Sequence, residues 1–254
     1  MPSVPNDPGD PRVHAYRAQV LQRHSTAFGL HADVAAAVEV EITRPRPHPS
    51  HVHLVLDMLL VQSLKAHLAV SPLCQHGLME DAATITRRLL ELSVQAVYIG
   101  QEGDERLRRR RAGQYAAYLW RQLTPRLKQS LPPEVRAVWI GLGRGYGRYI
   151  TRKHGWGPSF RDMFDAIGHL DLYEKDYSLL SSIAHGTPDT QVFQFSRRKV
   201  RVHDDRFASI LLVYASRYLL VVTDPWRTVF DLPLPRDWEE LGDRVRAEVP
   251  GVQP

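Results

Sequence analysis

The sequence predicts an all-α protein, a single helical bundle of about five long helices with short peripheral helices and one small hairpin. Apolar residues recur at intervals of three and four along most of the chain, which is the spacing of one face of an α-helix. Strict alternation, the pattern of a half-buried strand, is rare. With 254 residues, of which 43% are hydrophobic, the chain is long enough to bury a sizeable core.

Proline and glycine clusters divide this pattern into segments, because both residues interrupt helices. Examples are Arg44-Pro45-Arg46-Pro47-His48-Pro49, Gly155-Trp156-Gly157-Pro158 and Asp224-Pro225. Between the breaks, the periodicity predicts helices over residues 13–28, 32–40, 51–74, 78–100, 104–123, 134–153, 159–167, 170–185, 205–222 and 236–247. Only Gln191 to Phe195 and Lys199 to His203 alternate enough to predict strands, and together they predict the hairpin.

The same breaks predict a core with two flanking parts. We expect an N-terminal helical extension over residues 1–49, a helical core domain over 50–223 and a C-terminal appendage with one helix over 224–254. The single cysteine, Cys74, excludes an intramolecular disulfide, and the opening residues lack the basic and apolar regions of a secretory signal. A cytoplasmic protein is therefore expected.

Two apolar stretches, Val52 to Val70 and Phe207 to Val222, are candidates for membrane spans. The first carries Asp57 and Lys65, and the second is short for a span and carries Arg217. Because charged side chains are costly inside a bilayer, both stretches predict core helices, and no membrane association is expected.

A polar line interrupts the predicted helix over 78–100. Apolar residues cover two sides of this helix, so most of its circumference is predicted to be buried. Arg87 and Glu91 lie between the two apolar stripes, at the four-residue spacing of an ion pair. An ordinary salt bridge at a helix boundary explains the pair equally well.

A second polar line follows the predicted helix over 170–185. Tyr173, Tyr177, Ser181 and His185 are spaced four apart, so they share one edge of the helix. His185 closes the helix, where the dipole favours an imidazolium, and either a structural capping role or proton transfer fits that position. We expect the two polar lines to meet in one partly buried site.

Asp176 lies in the middle of the apolar arc of the same helix. Burying a lone carboxylate is costly, so Asp176 needs a partner, and Arg87 or Arg217 can supply the charge. Arg217 interrupts the most apolar helix of the chain and needs a buried anion in turn. We expect one polar network to satisfy all of these groups.

At these residues the chain resembles an uncharacterised bacterial family, a domain of unknown function whose members share an Arg-x-x-x-Glu helix and a later Tyr-x-x-x-Ser-x-x-x-His helix. The resemblance covers roughly residues 50–222 and implies a shared fold and site, without an established activity. The matching positions are Arg87 to Glu91, Trp156, Ser159, Met163, Gly168, Tyr173, Tyr177, Ser181, His185, Gly186 and Pro188.

A looser resemblance is to HEPN-type helical bundles and abortive-infection proteins, many of which are metal-independent ribonucleases or antitoxin-bound toxins. Those enzymes use an Arg-x(4–6)-His motif, in which arginine steadies the scissile phosphate and histidine assists attack by the ribose 2′-hydroxyl. The motif fails before His185, because residues 178–180 are Ser, Leu and Leu. Arg148 with His154 matches it at the end of a predicted helix and is the second candidate pair.

These patterns lead to one functional hypothesis and one alternative. An anionic ligand, RNA or a nucleotide, is expected in a central polar cleft, and the net charge of +5 is compatible with such a ligand. The expected activity is that of a HEPN-like metal-independent ribonuclease in bacterial defence or stress response. The candidate catalytic residues are His185, Ser181, Tyr177, Glu91 and Arg87. The candidate ligand-binding residues are Arg217, Asp176, Arg148 and His154.

The alternative is a noncatalytic protein-interaction module whose polar network only specifies helix packing. A homodimer or a protein partner is compatible with either hypothesis. No metal site and no cofactor are predicted, because the sequence has no His-Glu-x-x-His, no paired cysteines and no phosphate-binding glycine motif.

Overall fold

A computed structural model describes residues 10–44, 46, 50–150, 155–185, 195–196, 199–200, 205–235 and 237–248. Within this part of the chain, five helices of 18 residues or more form the frame, which confirms the predicted all-α bundle. They are α2 (Ser25–Ile42), α3 (His51–Gln75), α4 (Met79–Gly100), α5 (Glu105–Gln122) and α11 (Ala208–Val229).

Shorter elements lie around this frame. The helices are α1 (Pro11–Arg23), α6 (Pro125–Ser130), α7 (Pro133–Tyr146), α8 (Phe160–Ala166), α9 (Leu170–Leu172), α10 (Ser178–Ala184) and α12 (Trp238–Glu248). A 3-10 turn (Gly147–Tyr149) follows α7, and a π-helix (Tyr173–Tyr177) joins α9 to α10.

The predicted hairpin is present where the structure describes it. Strands β1 (Phe195–Ser196) and β2 (Lys199–Val200) are antiparallel, with Phe195 opposite Val200. The outer parts of the two predicted strands lie outside the described residues.

Several predicted helix boundaries are wrong. The break between α1 and α2 comes at His24, before the predicted one, and the predicted helix over 134–153 ends as an α-helix at Tyr146. Helix α6 was not predicted, although Pro125 is its first residue and the Thr124 side chain caps it. The helix predicted over 205–222 extends to Val229.

Helix α4 lies in the middle of the bundle, packed against α3, α10 and α11. Both predicted apolar stripes are buried, which confirms that most of its circumference is enclosed. The buried members are Met79, Ala83, Leu89, Leu90, Leu92, Ala96, Val97 and Ile99. A buried polar residue on α4 therefore needs a hydrogen-bond partner, which its own helix or a neighbouring element can supply.

Gly100 at the end of α4 permits a close approach to α11. A Cβ atom built on Gly100 would lie 2.5 Å from Cβ of Pro225 and 3.3 Å from Leu56. Pro225 is inside α11, where the sequence predicted a helix break. The helix continues through it, and the proline ring packs on the face that α4 leaves open.

The two flanking parts contribute side chains to the same hydrophobic cluster as the predicted core domain. Arg227 of α11 lies 3.8 Å from the Glu41 carboxylate of α2, and both side chains are almost fully buried. The Arg227 guanidinium also lies over the ring of Trp238 in α12, 5.5 Å from its centroid. One buried cation thus contacts both α2 and α12. The predicted domain boundaries stay a prediction.

One described helix, α3, is long and apolar enough to cross a membrane, judged by length and composition. Fewer than half of the residues in its most apolar window are buried. Asp57 of α3 accepts a hydrogen bond from Arg46 at 3.2 Å and another from the indole of Trp226. Cytoplasmic location stays a prediction.

Two histidines form a buried stack between α2 and α3. The rings of His31 and His67 lie 3.6 Å apart with an interplanar angle of 7°. Nε2 of His31 is 2.9 Å from the backbone oxygen of His67, and Nε2 of His67 is 3.0 Å from that of His31. Each ring therefore carries a proton on Nε2 and donates it to a backbone oxygen. Burial lowers the pKa of His31 to about 3 and that of His67 to about 4.

Gly100→Ala should lower the free energy of unfolding by about 1–3 kcal/mol, because the added methyl group must separate α4 from Pro225. Urea unfolding measures the change. Gly29→Ala in α2 is the matched control, since nothing lies within 4 Å of its Cβ position. An equal effect of the two substitutions would contradict the close contact.

The His31–His67 stack should make the fold sensitive to acid. Unfolded histidine takes up a proton below a pH of about 6.5, whereas the folded rings resist protonation until pH 4 to 3, so the free energy of unfolding falls by about 1.4 kcal/mol per pH unit for each ring across that window. Urea titrations from pH 7.5 to 4.5 test this. His31→Phe, which keeps a ring of similar size, should flatten the dependence, and an unchanged slope would contradict it.

Candidate functional site

Helices α4 and α10 bring the two predicted polar lines together. The guanidinium of Arg87 donates from Nη1 to Nε2 of His185 at 3.0 Å and to Oγ of Ser181 at 3.5 Å. Ser181 lies within α10, one helical turn before His185. His185 is the C-terminal cap of α10, and its backbone N–H donates to the Ser181 carbonyl oxygen at 3.0 Å. The expected meeting of the two lines is present in the structure.

Glu91 fixes the position of Arg87 from within the same helix. Its carboxylate lies 3.7 Å from Nε of Arg87 and 3.3 Å from Nη1 of Arg88. The guanidinium of Arg87 also lies 5.6 Å from the centroid of the Tyr177 ring. We call these residues the Arg87 cluster: Arg87, Glu91, Tyr177, Ser181 and His185. One carboxylate serves two guanidinium groups, so the region has an excess of positive charge.

The contact between Arg87 and His185 fixes the state of the imidazole. A guanidinium is always protonated and can only donate, so Nε2 of His185 must accept and carries no proton. The ring is then the neutral tautomer with its proton on Nδ1. His185 is exposed, and its basic nitrogen points at the same guanidinium that would hold an anion.

Tyr177 remains a hydrogen-bond donor at neutral pH. Partial burial, and next the charge of Glu91, raise the pKa of its hydroxyl above the usual value of 10, while Arg87 opposes the change. The ring of Tyr173 stacks on that of Tyr177 with centroids 5.1 Å apart. The cluster thus contains one imidazole, two hydroxyl groups, one carboxylate and one guanidinium.

Asp176 belongs to a second, separate group. Its carboxylate accepts from Arg217 at 3.2 Å and from the hydroxyl of Tyr218 at 3.0 Å, and Asp176 is only 5% exposed. Complete burial, with the charge of Asp176 next, raises the pKa of Tyr218 well above 10, so this hydroxyl stays a donor. The π-helix directs Asp176 towards α11, and such helices often occur at functional sites.

The expectation of one shared network is therefore wrong. Among the described contacts, Arg217 neutralises Asp176, while Glu91 neutralises Arg87. Asp176 and Tyr177 are neighbours in the chain but point to different helices, α11 and α4. The ligand-binding roles predicted for Asp176 and Arg217 stay predictions, and an ion pair that fixes the π-helix on α11 accounts for their contacts.

Of the second candidate pair, the structure describes only Arg148. Arg148 is in the 3-10 turn after α7, where Nη2 is 2.9 Å from the hydroxyl of Tyr149. The helix predicted to carry both residues ends before Arg148, and His154 lies outside the described residues. The contacts of Arg148 place it with Tyr149 and not with the Arg87 cluster.

A cavity of about 270 Å³ opens beside Glu91, between α4, α5 and the segment 155–163. Its lining includes Arg88, Glu91, Gln95, Tyr115, Trp156 and Phe160. Neither Gln95 nor Tyr115 was predicted as a site residue, because their approach depends on the packing of α5 against α4. The four-residue spacing from Glu91 to Gln95 on a buried helix is the sequence feature that could have indicated Gln95.

The described residues contain no group of three or more His, Cys, Asp or Glu side chains that could hold a metal ion. Two histidines that are close in sequence, His51 and His53, each have another partner. His51 lies 2.8 Å from the backbone oxygen of Arg109 through Nε2, and Nδ1 of His53 lies 2.8 Å from the Ser50 hydroxyl.

Arg217→Met should destabilise the fold by about 2–4 kcal/mol, because it leaves the buried Asp176 carboxylate without its cation. Asp176→Asn in the same background should recover at least about 1 kcal/mol of the loss, since the neutral amide needs no counter-charge. A double-mutant cycle in urea measures this coupling. Additive effects of the two substitutions would show that the pair is not coupled.

Comparisons with known proteins place these residues in a family. The profile of a family of unknown function, DUF5677, matches residues 53–196, which is more than half of the chain. The match includes the whole Arg87 cluster and Asp176 but ends before α11, earlier than the expected limit near residue 222. No curated protein and no solved structure matches. The chain therefore belongs to the DUF5677 family of unknown function.

Proposed function

We propose that the Arg87 cluster binds a phosphate group of RNA or a nucleotide. The observation that supports this most directly is the contact of 3.0 Å between Arg87 and His185. A guanidinium with two planar donor edges matches phosphate geometry, and Glu91 occupies only part of it, at 3.7 Å. Arg88 on the same turn adds positive charge at a partly exposed position.

A phosphate at Arg87 would also release the base. In the free protein, Nε2 of His185 accepts from the guanidinium that the phosphate would engage. When Arg87 turns its donors to the phosphate, the lone pair of Nε2 becomes available to the ligand. Binding and activation of His185 would then be one event.

The reaction that fits these groups is metal-independent cleavage of RNA. The ribose 2′-oxygen bonds to phosphorus while the bond to the 5′-oxygen breaks, and the 2′-hydroxyl proton passes to Nε2 of His185. The departing 5′-oxygen takes a proton from a neutral donor such as the Tyr177 hydroxyl or water, which leaves a 2′,3′-cyclic phosphate and a 5′-hydroxyl. The resemblance to HEPN-type ribonucleases supports this reaction, because Arg87 supplies across the helix interface the arginine that is missing before His185.

The test uses a single-stranded RNA oligonucleotide with a chelator present. Wild-type protein should release ends with a 2′,3′-cyclic phosphate, detected by mass spectrometry. Arg87→Ala should weaken RNA binding about tenfold or more, through loss of a charge-assisted contact. His185→Ala should keep binding within a few-fold and lower the cleavage rate by about 10²–10⁴-fold, the contribution typical of a general base.

Arg106→Ala is the matched control, because it removes the same charge from an exposed position on α5. It should leave binding and cleavage close to wild type. If Arg87→Ala and His185→Ala lower thermal stability but leave RNA binding intact, the cluster is a structural network, and the noncatalytic interaction module is the correct reading.

A further inference from the structure

Two residues that line the cavity beside Glu91, Gln95 and Tyr115, each have a buried polar atom that needs a partner. Oε1 of Gln95 and the hydroxyl of Tyr115 are both buried and have no hydrogen-bond partner among the described residues. Gln95 is 4% exposed and Tyr115 is 2% exposed, and both line the cavity. Leaving such a group unsatisfied costs about 1–3 kcal/mol, so a ligand that pairs with both would recover that energy.

Apart from Arg88, Glu91 and Ser159, the rest of the lining is aromatic and apolar. Trp156 packs edge-on against Tyr115 with centroids 5.1 Å apart, and Phe160 and Met163 complete that side. Burial raises the pKa of Tyr115 to about 12, so its hydroxyl can donate at neutral pH. The cavity thus offers one acceptor, one donor and flat aromatic surfaces in a space of about 270 Å³, slightly below the range of roughly 300–1,000 Å³ usual for small-molecule pockets.

We propose that this cavity binds the base of a nucleotide whose phosphate lies at the Arg87 cluster, an inference that rests on the proposed function. A nucleobase is planar, stacks on aromatic side chains and carries N–H donors beside ring acceptors. Its N–H group would donate to Oε1 of Gln95, and the Tyr115 hydroxyl would donate to a ring nitrogen or carbonyl.

The position of Glu91 connects the two parts of such a ligand. Its carboxylate lies on the cavity wall and is 3.7 Å from Arg87 and 3.3 Å from Arg88. A base in the cavity would therefore have a positively charged rim directly beside it. Arg88 lines the cavity itself, so a sugar phosphate leaving the cavity would meet one guanidinium and then the other.

Calorimetric titration with three kinds of probe tests the inference on the full chain. The probes are the four ribonucleoside 5′-monophosphates, the corresponding nucleosides, and ribose 5-phosphate as a ligand without a base. At least one monophosphate should bind about tenfold or more tightly than ribose 5-phosphate, which is the contribution of one or two buried hydrogen bonds.

Tyr115→Phe and Gln95→Met should each weaken that monophosphate about three- to tenfold and leave ribose 5-phosphate binding unchanged. Because each substitution removes an unsatisfied buried atom, thermal stability of the free protein should stay equal or rise, an outcome that a structural hydrogen bond would not give. Tyr16→Phe, which removes another buried tyrosine hydroxyl on α1, is the matched control and should change neither affinity.

The outcomes separate this inference from the phosphate site. Equal affinity for the monophosphates and ribose 5-phosphate, or unchanged monophosphate affinity in both cavity variants, overturns the base cavity while the phosphate site stands. Monophosphate binding that depends on Gln95 and Tyr115 but is unchanged in Arg87→Ala supports the cavity and overturns the phosphate site. If no probe binds, both fail.

Discussion

The enclosure of α4 is the constraint on which the rest of the structure depends. Helices α3, α10 and α11 cover this helix, and its end lies against Pro225 with only a glycine between. A charged side chain that these neighbours largely cover, such as Arg87, needs a partner from the helix itself or from a neighbour. Arg87 has both kinds, Glu91 from α4 and the Ser181–His185 turn from α10.

Two separate polar groups result, and they differ in whether a charged group remains for a ligand to contact. The Asp176 carboxylate is enclosed by Arg217 and Tyr218, so its charge is compensated inside the fold. In the Arg87 cluster, one carboxylate serves two guanidinium groups and a neutral imidazole faces solvent. Only the second arrangement has a surplus cation beside an accessible base, which is why the proposed chemistry is assigned there.

The cavity beside Glu91 extends the polar edge of α4 into the interior. Gln95 continues the polar edge of α4 by one further turn, and Tyr115 reaches it from α5. The aromatic surface comes from Trp156, in the glycine- and proline-rich segment that precedes α8. Along the polar edge of α4, the Arg87–Glu91 ion pair is thus followed by the neutral, unsatisfied amide oxygen of Gln95 in the interior. This order matches the proposed ligand, which has a charged end and a planar end.

Part of the site could be predicted from helical spacing alone. The four-residue intervals from Arg87 to Glu91 and from Tyr177 to Ser181 and His185 fix which side chains share an edge, whatever the tertiary structure. Spacing also required a partner for Asp176. It could not choose between Arg87 and Arg217, because both choices satisfy the same charge balance, and only the packing of the π-helix against α11 decided it.

The sequence by itself determined the helical class and four of the five long helices, α3, α4, α5 and α11, because a 3.6-residue apolar period is a local property of the chain. It also determined the enclosure of α4, whose apolar residues lie on two sides. The tertiary structure alone decided that α11 continues through Pro225, that α7 ends at Tyr146, and that Gln95 and Tyr115 share a cavity. These features depend on contacts between segments that are distant in sequence. The energies of such contacts exceed local helix preferences, and the contacts produce no periodic pattern in either segment.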